Sequence, residues 1–250
     1  MGIFVDRHSE MKRVDRLICD TAHDRRIAVV RAVGGMGKTA LLQRIYDRYR
    51  SSAAAVLMDL RQPYELGSLL DGIADQLVSQ GIELQSYRKS AEHQVTVQLS
   101  NVRLRGSSFN LSVDNATVLR QEADRLLHEL LEDIAQPASP RHLVLLDHWD
   151  AAGDPLKDWL CTSLIPGFLF RSSAICVLAG RRDLYLGHPQ ECRTDRLQLR
   201  ELDEDSVRQW LVEAGLPHML DHADIIWKGT SGVPADVQKF IAGLIDHEDW

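Results

Sequence analysis

No stretch of the 250-residue chain is apolar for long enough to cross a membrane, and its first residues lack the apolar core of a signal peptide. The sequence therefore reads as cytoplasmic. Its four cysteines, Cys19, Cys161, Cys176 and Cys192, form no C-x-x-C pair, which points to free thiols in a reducing compartment and away from a disulfide frame or a metal site. Positive charge is in deficit: 29 Lys and Arg face 36 Asp and Glu, a net charge of −7. That balance argues against clamping nucleic acid by overall potential, though not against a local basic patch. Internal repeats and low-complexity tracts are absent. His218 and His222 are four apart without Glu or Cys support, so they read as surface residues. With 44% apolar and 26% charged residues, the chain has the composition of a globular protein with one large or two smaller domains.

The most informative stretch is Ala32-Val33-Gly34-Gly35-Met36-Gly37-Lys38-Thr39, between the apolar run Ile27–Val30 and a helix-patterned segment, Ala40 to Tyr49. Strand, glycine-rich turn and helix in this order are the context of a phosphate-binding loop. Glycines let successive N–H groups converge on phosphate oxygens, and the helix adds its positive end. Lys38 brings a charge to the β- and γ-phosphates, and the Thr39 hydroxyl is suited to Mg²⁺. Ala32 stands where the full G-x-x-x-x-G-K-[ST] pattern has its first glycine.

Around this loop the pattern alternates strands and helices. An extended entry, Ile3 to Arg7, leads into an amphipathic helix carrying Met11, Val14, Leu17 and Ile18. Ala53–Leu60 reads as a parallel strand, followed by a helix through Leu66, Leu69, Leu70, Ile73, Ala74 and Leu77. Residues 85 to 118 change to period two, with Val95, Val97, Leu99 and then Phe109, Leu111, Val113 around Gly106-Ser107-Ser108, which predicts a β-hairpin. Its Arg88, Lys89, Arg103 and Arg105 make either a contact surface or an edge defended against aggregation, and the second is the preferred account. A helix from about Val118 to Ile134 ends at Pro137 and Pro140. His142–Asp147 is a buried strand ending in an aspartate suited to Mg²⁺. A short helix, Leu156–Leu164, is expected to break at Pro166-Gly167. Ala174–Ala179 forms another buried strand, closed by Gly180-Arg181. There Arg181 is either a γ-phosphate contact or a solvated charge, and position alone does not decide. A strand-like Leu197–Leu199 precedes helices capped by Asp203 and running from about Met219 to Lys228 and from Ala235 to Ile245.

In order, these motifs resemble the signal-transduction NTPases with numerous domains, the STAND class that includes the NACHT and NB-ARC families. Phe4-Val5-Asp6-Arg7 is similar to their F-V-G-R entry, with Asp6 in place of glycine. Gly34–Thr39 resembles their G-G-x-G-K-T loop, and Asp147-His148-Trp149-Asp150 their D-x-x-[DE] Walker B, with Ala151 replacing a further acid. Arg181 falls at their first sensor arginine, and Gly232-Val233-Pro234 at their G-x-P motif. The resemblance implies an α/β parallel-sheet P-loop NTPase core over residues 1–190, with the hairpin as an insertion, and a small helical lid over 191–250. It implies nucleotide contacts from Val5, Arg7, Gly34, Gly35, Met36, Gly37, Lys38, Thr39, Ala40 and Pro234. Mg²⁺ would be held by Thr39 and, through water, by Asp147. Asp147, Asp150 and Arg181 form the catalytic set, Asp150 orienting the attacking water with His148 as the competing base.

The function implied is an ATP/ADP-binding switch with slow hydrolysis, controlling assembly or a partner effector in signalling or defence. Its partners would be nucleotide, a protein effector chain and an ATP-dependent homo-oligomer, and neither membrane nor nucleic acid. Neither an effector nor a sensor segment is visible, so the chain is expected to be a fragment or a minimal core. A turnover ATPase or kinase, and a degenerate nucleotide-binding scaffold, are the alternatives.

Overall fold

Short runs of aliphatic residues buried on both faces build a parallel sheet covered by helices. The computed structural model describes residues 5–19, 25–92, 115–135, 141–172 and 174–248. Five strands, β1 (Ile27–Arg31), β2 (Ala54–Asp59), β3 (His142–Asp147), β4 (Ile175–Gly180) and β5 (Thr194–Gln198), form one all-parallel sheet in the order β2-β3-β4-β1-β5. Every residue of β3 and β4 is buried. Side chains alternate between faces. Ala28 and Val30 join the cluster under α1 (His8–Cys19) and α2 (Lys38–Tyr49), whereas Ile27 and Val29 join the cluster under α3 (Leu66–Ser79) and α5 (Asn115–Ile134). Leu41, Leu42 and Ile45 of α2 are fully buried, each worth about 1.5–3 kcal/mol. The α/β class expected from the sequence is the class observed.

Register places the site. Arg31 of β1 pairs with Gly180 of β4, and Asp59 of β2 with Asp147 of β3. The strands end level, so their exit loops gather at the carboxyl edge, where open parallel sheets bind ligands.

Four local expectations are corrected. Residues 85–92 form a helix, α4, instead of opening the hairpin, and 115–118 already belong to α5. The start of α4 is capped from a distance: Ser86 and Tyr87 N–H groups donate to the Asp133 carboxylate, and buried Leu84 and Tyr87 pack with α3 and α5. The predicted strands between Val95 and Val113 lie outside the described residues. Second, Pro166-Gly167 does not end the helix. After α6 (Asp154–Trp159), a π-helical turn, Leu160–Leu164, delivers Pro166 to the first turn of α7 (Ile165–Arg171), where its missing N–H is harmless. Gly167 lets α7 close on α5, since a Cβ there would lie 2.8 Å from Leu131 Cδ1.

Third, β5 begins at Thr194 rather than Leu197 and pairs with β1, so the sheet continues past residue 190. It follows the single-turn helix α8 (His188–Glu191). The helices beyond it are α9 (Glu204–Glu213), α10 (Ala223–Thr230) and α11 (Pro234–Glu248), with their own core around Val207, Leu211, Ile226 and Val237. Asp203 caps α9 through the Ser206 N–H. Fourth, the single helix expected from Met219 to Lys228 is split, with the 3₁₀ turn Pro217–His222 before α10.

Candidate functional site

Gly35 and Gly37 both lie at φ 82°, and Gly37 is the left-handed residue that opens α2. Only glycine takes that conformation freely. Ala32 is not among the positive-φ residues, and its N–H still donates to Gly180 O at 3.2 Å as an extension of the ladder. The missing first glycine therefore sits where the backbone does not demand one. The other departure, Asp6, has φ 50°, and aspartate is among the few residues that tolerate this region.

Lys38 is buried, and its Nζ donates to the carbonyls of Ala32 (2.7 Å) and Val33 (2.8 Å) in its own loop. Burial lowers its pKa, Asp147 and Asp150 oppose that, and Arg181 adds to it. A buried ammonium whose partners among the described residues are loop carbonyls, above two left-handed glycines, suits an anion. Mg²⁺ fits the donor set in chemistry: Thr39 supplies a hydroxyl beside the loop, and Asp147 a buried carboxylate at the end of β3.

The carboxylates approach from β2 and β3. Asp147 Oδ1 accepts the His148 N–H at 2.8 Å. His148 turns left-handed at φ 55°, with Nδ1 3.1 Å from Asp59 Oδ1 and 3.2 Å from Asp147 Oδ2, aligned for a hydrogen bond with neither. Arg61, bonded to Asp59, holds that carboxyl at about 2. Asp150, in the 3₁₀ turn Trp149–Ala151, accepts the Arg181 N–H at 3.1 Å. Gly180 makes this possible. A Cβ there would overlap Trp149 Nε1 and lie 2.8 Å from Asp150 Oδ1.

The helical cluster reaches the loop directly. The Ala235 N–H donates to Gly35 O at 3.0 Å, and a Cβ on Gly35 would meet Val233 and Ala235 at 3.2 Å. Arg7, buried, donates through Nη2 to Met36 O (3.3 Å) and Arg200 O (2.8 Å). Between loop and helices lies a cavity of about 320 Å³, near the lower end for small-molecule sites, about 300–1,000 Å³. Val5, Arg7, the loop residues Gly34, Gly35, Met36, Gly37, Lys38, Thr39 and Ala40, Arg181 and Pro234 all line it. Asp147 and Asp150 do not line it, whereas His148 does. Phe4 lies outside the described residues. Sequence reasoning missed Leu202, Trp210, Ala235 and Gln238, which also line it. Gln238, one helical turn beyond Pro234, carried a periodicity signal; Leu202 and Trp210 read as ordinary core positions.

No family model matches the chain, and no curated protein matches it. Solved structures do. A Signal Transduction ATPase with Numerous Domains protein with a tetratricopeptide repeat sensor, from Pyrococcus horikoshii, aligns at 15% identity and TM-score 0.57 over 94% of this chain and 29% of its own. The Cdc6 protein of Pyrobaculum aerophilum aligns at 15% and 0.53 over 85% of this chain and 51% of its own. The Drosophila ORC structure bound to DNA gives 12% and 0.52 over 94% of this chain and 59% of that one. The fold is thus that of the P-loop ATPases. The chain spans only about a third to a half of the length of the first two of these proteins.

Proposed function

We propose that the chain is a nucleotide-dependent regulatory switch of the STAND type, binding ATP and ADP with Mg²⁺ and hydrolysing ATP slowly. The observation that carries this reading is the shared cavity: the phosphate loop and the helical lid line it together, and a backbone hydrogen bond joins Ala235 to Gly35. A ligand filling it touches both parts, so its phosphate state biases how the lid sits.

In this reading the loop N–H groups from Gly34 to Ala40 and Lys38 bind phosphates. Val5, Arg7, Met36 and Pro234 hold the base and ribose. Thr39 and Asp147 hold Mg²⁺, the latter through water, and the ion supplies charge neutralisation at the phosphates. Arg181 contacts the γ-phosphate, and Asp150 orients the attacking water. Asp150 already accepts the Arg181 N–H, an engagement that suits slow turnover. The output is proposed to be ATP-dependent self-assembly or control of a protein effector, in the cytoplasm. The Drosophila structure contains DNA, but a net charge of −7 gives no general attraction to phosphate backbones.

Nucleotide content after purification, combined with single-turnover hydrolysis, tests the proposal. Tightly retained ADP and slow turnover are expected. Fast, substrate-dependent turnover would make the chain an ordinary ATPase or kinase, and binding without hydrolysis would make it a scaffold. Asp150→Asn should bind Mg-ATP, lose hydrolysis and run larger than wild type in light scattering.

A further inference from the structure

Beside the nucleotide cavity, on the far side of Arg7, lies a second cavity of about 160 Å³. Among the described residues five line it, and four are basic: Arg7 and His8 at the start of α1, Arg44 and Arg48 one turn apart on α2, with Met11 as the apolar member. It is half the volume of the neighbouring cavity, a size that suits a single oxyanion group.

The charges in it are incompletely neutralised. Arg7 is 5% exposed, yet its nearest carboxylates, Asp6 and Glu10, are both 3.9 Å from Nη1, and its close partners are two backbone carbonyls. A buried guanidinium without a close anion bears a desolvation cost that an anion relieves. Among the described residues Arg44 has no carboxylate partner. Arg48 pairs with Asp15 at 3.0 Å, and Asp15 also accepts the Tyr49 hydroxyl at 2.5 Å. Glu10 accepts the Ser9 hydroxyl at 2.7 Å. The neighbouring acids are engaged at the margins, and the cavity itself is lined by three arginines and a histidine in a chain of net charge −7. Guanidinium forks suit phosphate oxygens in pairs.

Arg7 also lines the nucleotide cavity, where its Nη2 holds Met36 O in the phosphate loop and Arg200 O ahead of the lid. We propose that the Arg7–His8–Arg44–Arg48 cleft is a second anion site, taking one phosphate-like group, whose occupancy tightens nucleotide retention through Arg7. The anion gives the guanidinium its missing counter-charge and stiffens a clamp that already spans loop and lid. This coupling rests on the nucleotide-site reading; the anion site itself does not.

The test titrates inorganic phosphate into the ADP-saturated protein at constant ionic strength, so that the phosphate loop is already filled. In wild type, ADP release should slow about fivefold at saturating phosphate, the low end of typical coupling between sites. Arg44→Ala, at an exposed position, should keep phosphate-free ADP affinity but lose the phosphate effect, and Arg44→Lys should restore part of it. No effect in wild type, an accelerated release, or an equal effect in Arg44→Ala would overturn the proposal. Self-association that depends on Arg44 but ignores phosphate would also overturn it, because the anion would then be a carboxylate of a second copy. The anion site is separable from the nucleotide reading in Lys38→Ala protein: phosphate should still raise its melting temperature, and Arg44→Ala should abolish that rise.

Discussion

Gly232 and Gly215 give a controlled measurement of what the turn before α11 contributes. Both have positive φ, 66° and 78°, so alanine at either position carries the left-handed penalty of about 1–2 kcal/mol. A Cβ on Gly215 would have nothing within 4 Å. A Cβ on Gly232 would fall on the Leu202 carbonyl oxygen. That oxygen accepts the Trp227 indole N–H at 2.9 Å, and the Leu202 N–H donates to Gly232 O at 2.8 Å. Moving Leu202 aside strains or breaks both bonds, each worth about 0.5–1.5 kcal/mol. Gly215→Ala should therefore lose about 1–2 kcal/mol, and Gly232→Ala about 2 kcal/mol more.

Urea unfolding followed by tryptophan fluorescence reads the difference, because Trp210 and Trp227 both pack in the lid core. With unchanged m-values, the midpoints convert directly to stability. Only Gly232→Ala should also speed ADP release, since Leu202 lines the cavity proposed to hold nucleotide. Equal losses in the two variants would refute the steric argument and leave only the backbone conformation as the reason for glycine at 232.

Lys38→Ala should lose the melting-temperature rise with Mg-ADP, which at a hundredfold excess over Kd is worth about 2.7 kcal/mol; an undiminished rise would remove the phosphate loop from the binding site. Pro234→Ala should release ADP faster while global stability changes by less than about 1 kcal/mol, because proline at the first helical position is favoured but not required; unchanged release would leave it only a helix-starting role. His148→Ala should retain hydrolysis if Asp150 orients the water, whereas an inactive His148→Ala beside an active Asp150→Asn would transfer that role to the histidine that lines the cavity. His142, buried with Nε2 unpartnered among the described residues, is pushed down to about 4 by burial. The unfolded chain takes up that proton near 6.5, so stability falls as pH drops from about 6.5 to 4, by about 3 kcal/mol at 1.36 kcal/mol per pH unit. His142→Leu should flatten the unfolding midpoint across that window; an unchanged slope would assign the loss to other groups.

The sequence was readable where structure follows from local chemistry. Gly37-Lys38-Thr39 announces its turn because left-handed glycines and a helix start are properties of adjacent residues. β3 and β4 announce themselves because strands buried on both faces need unbroken apolar runs. The misreadings arose where a distant residue settles the local conformation. Asp133 caps α4 at Ser86 from 47 positions away, and no window around residue 86 contains that information. Pro166 looks like a stop until the π turn upstream shifts it into a first helical turn. β5 reads weakly because it is an edge strand that alternates buried positions with the exposed Arg196 and Gln198, and its buried Asp195 is matched by Arg13 of α1. The cavity divides in the same way: its loop wall is local, and its Leu202 and Trp210 wall exists only once the lid has folded.

The link between loop and lid is too weak at any single point to act as a switch. The Ala235–Gly35 hydrogen bond nets about 1 kcal/mol, which changes a two-state ratio only about fivefold. Moving a population from 1:99 to 99:1 takes about 5.5 kcal/mol. The other connections must therefore act together with it. Val233 and Ala235 sit where a Cβ on Gly35 would meet them at 3.2 Å, Arg7 ties Met36 to Arg200, and Val5 from the entry is buried in the core of the C-terminal helices. All but the Val5 contact converge on the short loop segment Gly35–Met36, which has no side chain at 35 and a buried one at 36. In the proposed switch, a phosphate that repositioned this backbone would displace the Gly35 acceptor, the Met36 acceptor and the surface under Val233 in a single movement. The contacts are individually ordinary, and their shared dependence on two residues is what lets their small energies add.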